Sequence, residues 1–236
     1  DVDLSTVRFG ICAGSPLSME LRQTFERKFH FRIIHCYGMT EISLIASCED
    51  PGSEPKGVSV GNVMPYIRLR IVSDEGDEAG EGEVGEIQIG SERALVSYWN
   101  APAEAAQALK EGWFGTGDMG RLDEEGHLHI VDRKKDMIIR GGFNVFPAEI
   151  ERVLLADERV AEAAVIGIPH PRLGEVPKAF VALKQGARAE ERELVALTRA
   201  KLANFKALEE VEFVDPAFFP RNALGKIVKP ALRSQG

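Results

Sequence analysis

The chain has 236 residues and 25.9 kDa, with 44% hydrophobic and 28% charged residues. This is globular composition, and it excludes a disordered or low-complexity polypeptide and allows a buried core without covalent staples. The net charge of −8, from 29 Lys and Arg against 37 Asp and Glu, argues against a general affinity for nucleic acid or anionic lipid.

No apolar run approaches the ~20 residues that span a bilayer. The opening Asp1-Val2-Asp3-Leu4 has neither a basic start nor an apolar stretch, so neither a signal peptide nor a membrane span is expected. Cys12, Cys36 and Cys48 are odd in number and lack C-x-x-C spacing. They suit free thiols in a reducing cytoplasm, with neither a disulfide framework nor a zinc site.

In chain order, Val7 to Cys12 reads as a strand, broken by Ala13-Gly14-Ser15-Pro16. Ser18 to Phe29 reads as a helix, with Leu21, Phe25 and Phe29 stepping by four, and Phe31 to Cys36 as a second strand. This alternation suggests the tail of an α/β layer over 1–50. From 51 to 131 the pattern becomes short strands with glycine turns. Tyr66 to Val72 alternates, Glu86 to Ile89 reads as a second strand, and the stretch from Asp74 to Glu86 holds seven acids and no base. The acidic segment between the two strands reads as a solvated hairpin loop, and the whole of 51–131 as a small β-barrel or sandwich. From 132 to 236 a compact α+β domain is expected. A helix opens at Pro147-Ala148-Glu149, with Glu149 and Glu151 near its positive end, and another runs from Glu190 to Phe205. Val160 to Ile168, Ala179 to Leu183 and Val211 to Val214 read as strands.

Four segments carry residue types with chemistry. Tyr37-Gly38-Met39-Thr40-Glu41 follows a buried strand. Its glycine admits a close ligand, and its hydroxyl and carboxylate suit phosphate and a hard cation, though an ordinary strand-to-helix turn explains it as well. Trp113-Phe114-Gly115-Thr116-Gly117-Asp118 reads as a glycine-rich turn ending in a carboxylate. Such a group can accept two ribose hydroxyls, or simply bond its own backbone. Asp132-Arg133-Lys134-Lys135-Asp136 precedes a strand that ends in Gly141-Gly142. Arg133 suits a phosphate or ribose and the glycines suit the border of a channel, while a solvated charge run and a simple hairpin is the plain alternative. Pro220-Arg221-Asn222-Ala223-Leu224-Gly225-Lys226 offers a lysine after glycine, without a Walker pattern.

In order and spacing these segments resemble the adenylate-forming superfamily of acyl-CoA synthetases, peptide-synthetase adenylation domains and firefly-type luciferases. The resemblance runs from Gly14-Ser15-Pro16 to Lys226, and Gly57-Val58-Ser59-Val60-Gly61 and Gly85-Glu86-Ile87-Gln88-Ile89 match its connecting motifs. It implies the C-terminal part of a large AMP-binding domain over 1–131, then a mobile α+β domain over 132–236. It also implies an ATP-dependent acid–thiol ligase. ATP and a carboxylic acid would give an acyl-adenylate, and coenzyme A would then displace AMP.

By the same resemblance Gly14 and Ser15 lie beside adenine, with Gly38 in the nucleotide site, and Tyr37 packs on the base. Thr40 contacts phosphate, Glu41 holds Mg²⁺, and Asp118 accepts the ribose hydroxyls near Arg133. Gly141, Gly142 and Phe143 border the pantetheine tunnel, Lys135 is the hinge, and Lys226 bridges carboxylate and α-phosphate.

The family's Ser/Thr/Gly-rich phosphate loop is absent. The chain is therefore expected to be the C-terminal part of a longer enzyme, inactive alone. Ala207-Leu208-Glu209-Glu210 stands where many relatives carry proline and basic residues for coenzyme A phosphates. The alternative from another class is a non-catalytic module that keeps the fold and binds a nucleotide or a protein.

Overall fold

A computed structural model describes residues 3–43, 45–101, 103, 108–223 and 225–233. Asp1 and Val2 of the opening, and Leu224 of the C-terminal motif, lie outside them. The chain divides into two compact units, 1–131 and 132–236. Among the described residues no helix is long and apolar enough to cross a membrane.

The first unit opens with β1 (Phe9–Ala13), α1 (Met19–Phe29) and β2 (Arg32–Tyr37). Ser18 caps α1 through its hydroxyl, and His30 closes it in the left-handed conformation. β1 and β2 pair in parallel, with Ala13 opposite Cys36. β3 (Ser47–Cys48) and β4 (Asn62–Val63) complete a four-stranded sheet in the order β1-β2-β3-β4.

Cys36 and Cys48 face each other across β2 and β3 with Cα atoms 4.2 Å apart, and the structure joins them as a disulfide. This corrects the expectation of three free thiols, of which Cys12 alone remains free. The pairing depends on strand register, to which sequence spacing is blind.

One edge of β2 is completed by side chains. Glu26 accepts the Ile33 N–H (2.8 Å), Glu49 accepts the His35 N–H (2.8 Å), and Arg22 donates to the Ile33 carbonyl. Arg22 also forks onto both oxygens of Glu49 at 2.8 Å and reaches Glu26 at 3.3 Å. Burial disfavours the guanidinium charge. Hydrogen bonds to Glu49 and Glu26 outweigh it, so the pKa of Arg22 is raised.

A five-stranded sheet follows. β5 (Arg68–Val72), β6 (Gly85–Gly90), β7 (Leu109–Lys110) and β8 (Trp113–Leu122) run in the order β5-β6-β8-β7, and β9 (Leu128–Arg133) pairs β8. Leu69, Ile71, Ile87, Ile89 and Phe114 alternate onto its apolar face and pack with Ile42, Val60 and Leu128. The segment from Trp113 to Asp118 is thus a strand, and the expected glycine-rich turn is corrected. Within it Gly117 is held at φ +69°, and further along β8 close packing demands glycine: a Cβ at Gly120 would lie 2.7 Å from Ile87 Cδ1 and 2.8 Å from the His129 carbonyl oxygen.

The β8–β9 turn is organised by Asp123. Its carboxylate meets His129 Nε2 at 2.8 Å and His127 Nδ1 at 3.2 Å, and accepts the N–H groups of His127 (2.9 Å) and Glu125 (3.1 Å). Partial burial works against the charge. The hydrogen bonds from His129 and from the His127 and Glu125 backbone reverse this and hold the carboxyl far below the usual carboxylate range. A depressed folded-state pKa adds stability above the unfolded value, lost as pH falls toward the folded one. Asp123→Asn is therefore expected to lower the melting temperature of the first unit by about 3 °C at pH 7. The gap should narrow as pH drops below about 4. Melting curves at pH 7 and pH 3 check this, and a gap of constant size would contradict it.

The second unit is a sheet in the order β11-β10-β13-β12, with β14 pairing β13. Its strands are β10 (Ile138–Arg140), β11 (Phe143–Val145), β12 (Val160–His170), β13 (Gly174–Leu183) and β14 (Glu210–Phe213). Both faces are covered. Val165, Ala179 and Val181 pack with Ile150 and Leu154 of α2 (Pro147–Leu155) and Leu194 of α3 (Glu191–Lys201). The alternate residues Ala164, Ile166, Phe180 and Ala182 pack with Phe219 and with Leu232 of α4 (Lys229–Arg233). Burial on both faces explains why β12 and β13 read as near-continuous apolar runs.

Glu149 sits in the first turn of α2, as expected, and pairs with Lys206 at 2.7 Å. Glu151 instead serves Lys229 and the Val165 N–H. The first turn's Ala148 N–H goes to Asp132, at 2.7 Å. The helix from Glu190 ends at Lys201, before a 3₁₀ turn over Asn204–Lys206, so it is shorter than the pattern suggests.

Candidate active site

In the first unit, the parallel pairing of β1 and β2 sets Gly14-Ser15 just beyond the carboxyl end of one strand and Tyr37-Gly38 at the carboxyl end of its neighbour. In open α/β sheets that is where ligands bind. Gly14 has φ +80° with open space where a Cβ would be, so the turn itself demands glycine. A His35 ring nitrogen lies 3.3 Å from the Ser15 carbonyl and ties this turn to β2.

Tyr37 donates its hydroxyl to Asp118 Oδ2 at 2.7 Å, bringing together two expected site residues that are 81 positions apart. Asp118 is buried (8% exposed), and its own N–H donates to Thr116 Oγ1 at 3.1 Å. Thr116 in turn donates to the Ile87 carbonyl at 2.8 Å. Gly117, at φ +69°, lies beside a register break opposite Glu86 and Gln88, and this irregularity aims the Asp118 carboxylate.

Thr40 opens a 3₁₀ turn over Thr40–Ile42, with Glu41 in its first turn. Glu41 Oε1 accepts the Tyr98 hydroxyl at 3.1 Å, and the Glu41 carbonyl accepts the Leu95 N–H at 2.6 Å. Tyr98 escaped sequence reasoning because its segment has no periodicity. Among the described residues no group of three metal-ligating side chains gathers. A single partly exposed carboxylate such as Glu41 is nevertheless the donor that Mg²⁺ takes when substrate phosphates supply other oxygens.

The remaining expected residues belong to the second unit. Arg133 is exposed at the end of β9, its N–H held by Asp132 Oδ1 at 2.7 Å. Lys135 is exposed within a 3₁₀ turn over Lys134–Asp136. Gly141 and Gly142, at φ +59° and +87°, make the turn between β10 and β11. Phe143 follows, 57% exposed and stacked on Phe205 with centroids 4.8 Å apart. Arg140 braces this region by donating to the Ala207 carbonyl and to Glu209, each at 2.8 Å. Ala207 and Leu208 are buried in the core. Lys226 stands at the end of a short hairpin, after Gly225 at φ +78°.

The AMP-binding enzyme family matches residues 1–99, and the AMP-binding enzyme C-terminal domain matches residues 149–226. The chain belongs to the adenylate-forming superfamily. It is 38% identical over 231 residues to a long-chain-fatty-acid–CoA ligase of Bacillus subtilis, covering 98% of this chain and 41% of that protein. ATP-bound MatB from Rhodopseudomonas palustris superposes with TM-score 0.87 at 33% identity, over 95% of this chain and 44% of that one. The o-succinylbenzoate CoA synthetase MenE from Bacillus subtilis, in complex with its acyl-adenylate intermediate, superposes with TM-score 0.84 at 34% identity, over 97% of this chain and 46% of that one. The chain thus spans under half the length of these adenylate-forming relatives and shares their fold.

Proposed function

We propose that this chain is part of an ATP-dependent acyl-CoA ligase, contributing one wall of the nucleotide site and the mobile domain. The single observation that carries this is the convergence, at the carboxyl ends of two adjacent parallel strands, of Gly14-Ser15 and Tyr37, with Tyr37 bonded to the buried Asp118. On this reading the β5–β9 sheet is the small barrel of the large domain. The second unit is the domain that turns about Lys135 between half-reactions.

Asp118 would accept the two ribose hydroxyls, with Tyr37 and Gly38 along the base and Gly14-Ser15 beside it. Thr40 would hold phosphate. Glu41 would hold Mg²⁺, whose chemistry is to neutralise phosphate charge. Arg133 would steady the ribose or phosphate. Lys226 would lie between the acid and the α-phosphate in the first step. In the second step Gly141, Gly142 and Phe143 would line the pantetheine path of coenzyme A. The acid is a small-molecule carboxylate of unassigned class. A non-catalytic module is the less favoured reading, since the similar proteins include a CoA ligase and a CoA synthetase.

Asp118→Ala in the full-length enzyme is the test. Losing two hydrogen bonds to a charged acceptor should weaken AMP and ATP binding about 100-fold. Tyr37→Phe serves as the control for the bond it breaks. Calorimetric titration with AMP reads the effect, and an unchanged affinity would remove Asp118 from the ribose site.

A further inference from the structure

We infer that Glu162 is a positioning residue for Lys226, acting through Arg221. This rests on the proposed reading of Lys226 as the adenylation lysine. Lys226 is carried on a short hairpin, closed among the described residues by an antiparallel bridge from Arg221 to Ile227 and by the Val228 N–H on the Pro220 carbonyl (2.8 Å). Its turn is drawn tight by local bonds. The Gly225 N–H donates to the Asn222 carbonyl (2.9 Å), and the Asn222 N–H donates to the Lys226 carbonyl (2.9 Å). The Lys226 N–H donates to Asn222 Oδ1 (3.0 Å).

These bonds shape the turn. Its arms are tied to the domain by packing of Phe219 and Ile227 on the core beneath β12 and β13, and by two ion pairs, one on each flank. On the far side, Lys229 Nζ meets Glu151 Oε1 at 2.8 Å, and both side chains are buried to within 15% and 17% exposure. On the near side, Arg221 Nη2 pairs with Glu162 on β12, at the point where the β12–β13 register shifts. Arg221 Nη1 donates to the Gly225 carbonyl at 3.1 Å. One guanidinium therefore joins the sheet to the peptide unit immediately before Lys226.

The two pairs differ in what they can do for stability. Glu151 is deeply buried, and burial lifts its carboxyl above the ordinary value, with Lys229 opposing only part of the rise. Altering that pair would disturb folding. Arg221 and Glu162 are about one-third exposed (36% and 32%), where an ion pair adds little to global stability. Its consequence is geometric. A cation placed between two anions loses its effect steeply with displacement, and an error of about 1 Å can cost 10²-fold in rate. Glutamine at 162 keeps the shape of glutamate and loses the charge that seats Arg221. Lysine at 221 keeps the charge and loses the fork that also reaches Gly225.

The test compares Glu162→Gln, Arg221→Lys and Lys226→Ala in the full-length enzyme. The first two should lower kcat of adenylation by about 10-fold. KM for ATP, the rate of thioester formation from preformed acyl-adenylate, and the melting temperature should stay near wild type. Hydrogen exchange at the Lys226 and Gly225 amides should speed up in both variants. Full adenylation in Glu162→Gln, alongside its collapse in Lys226→Ala, would overturn the positioning role and leave the reading of Lys226 standing. Full adenylation in Lys226→Ala would overturn both. Unchanged exchange at Lys226 in Glu162→Gln would show that the hairpin is seated without this pair.

Discussion

Lys226→Ala in the full-length enzyme is expected to lower acyl-adenylate formation by about 10²–10³-fold and to leave thioester formation from preformed adenylate largely intact. In the first step an anionic carboxylate must approach an anionic phosphate. A preorganised ammonium between them offsets the repulsion where water is excluded. In the second step the attacking group is a thiol and the leaving group is AMP, so the same charge has less to stabilise. The hairpin that carries Lys226 is held by its own turn and by two flanking ion pairs, so alanine should remove the charge without unseating the backbone. Timing pyrophosphate release and thioester formation separately reads the two steps. Equal losses in both would contradict a role confined to adenylation.

Arg22→Ala is expected to destabilise the first unit by about 3–5 kcal/mol, the cost of stranding a buried charge partner. Arg22 is 2% exposed and Glu49 is 8% exposed, so little water can replace the lost guanidinium. Three groups lose a partner together, the Glu49 carboxylate, Glu26 and the Ile33 carbonyl, and the backbone N–H groups of His35 and Ile33 that remain on the two carboxylates carry no full charge to replace it. Because these side chains complete the edge of β2, the strand that ends in Tyr37, nucleotide binding should weaken through the fold. Urea unfolding of the variant measures the effect, and a loss below about 1 kcal/mol would show that the pair is readily hydrated.

Residues that act through local spacing could be read from the sequence. The helix over 19–29 follows from its stepped apolar positions and its Ser18 cap, and the β12 and β13 runs follow from burial on both faces. The order of Tyr37 to Glu41, Asp118, Gly141-Gly142 and Lys226 pointed to the family. What failed depended on register. The Trp113 to Asp118 segment looks like a turn because it holds two glycines. Yet β8 uses such glycines for close packing and for a bulge, as Gly120 and Gly117 illustrate. The Cys36–Cys48 pairing arises because β2 and β3 set those residues opposite each other. The Arg22–Glu49, Tyr37–Asp118 and Tyr98–Glu41 contacts join residues 27, 81 and 57 positions apart, beyond any helical or strand period.

The measurement that bears most directly on the proposed function is pyrophosphate release from ATP by the full-length protein. Fatty, aromatic and dicarboxylic acids would be offered one at a time, with and without coenzyme A. Pyrophosphate is expected only in the presence of an accepted acid, and addition of coenzyme A should then give AMP and the matching thioester in equal amounts. ATP turnover that ignores the acid would contradict an adenylating ligase, as would firm nucleotide binding with no pyrophosphate from any acid offered.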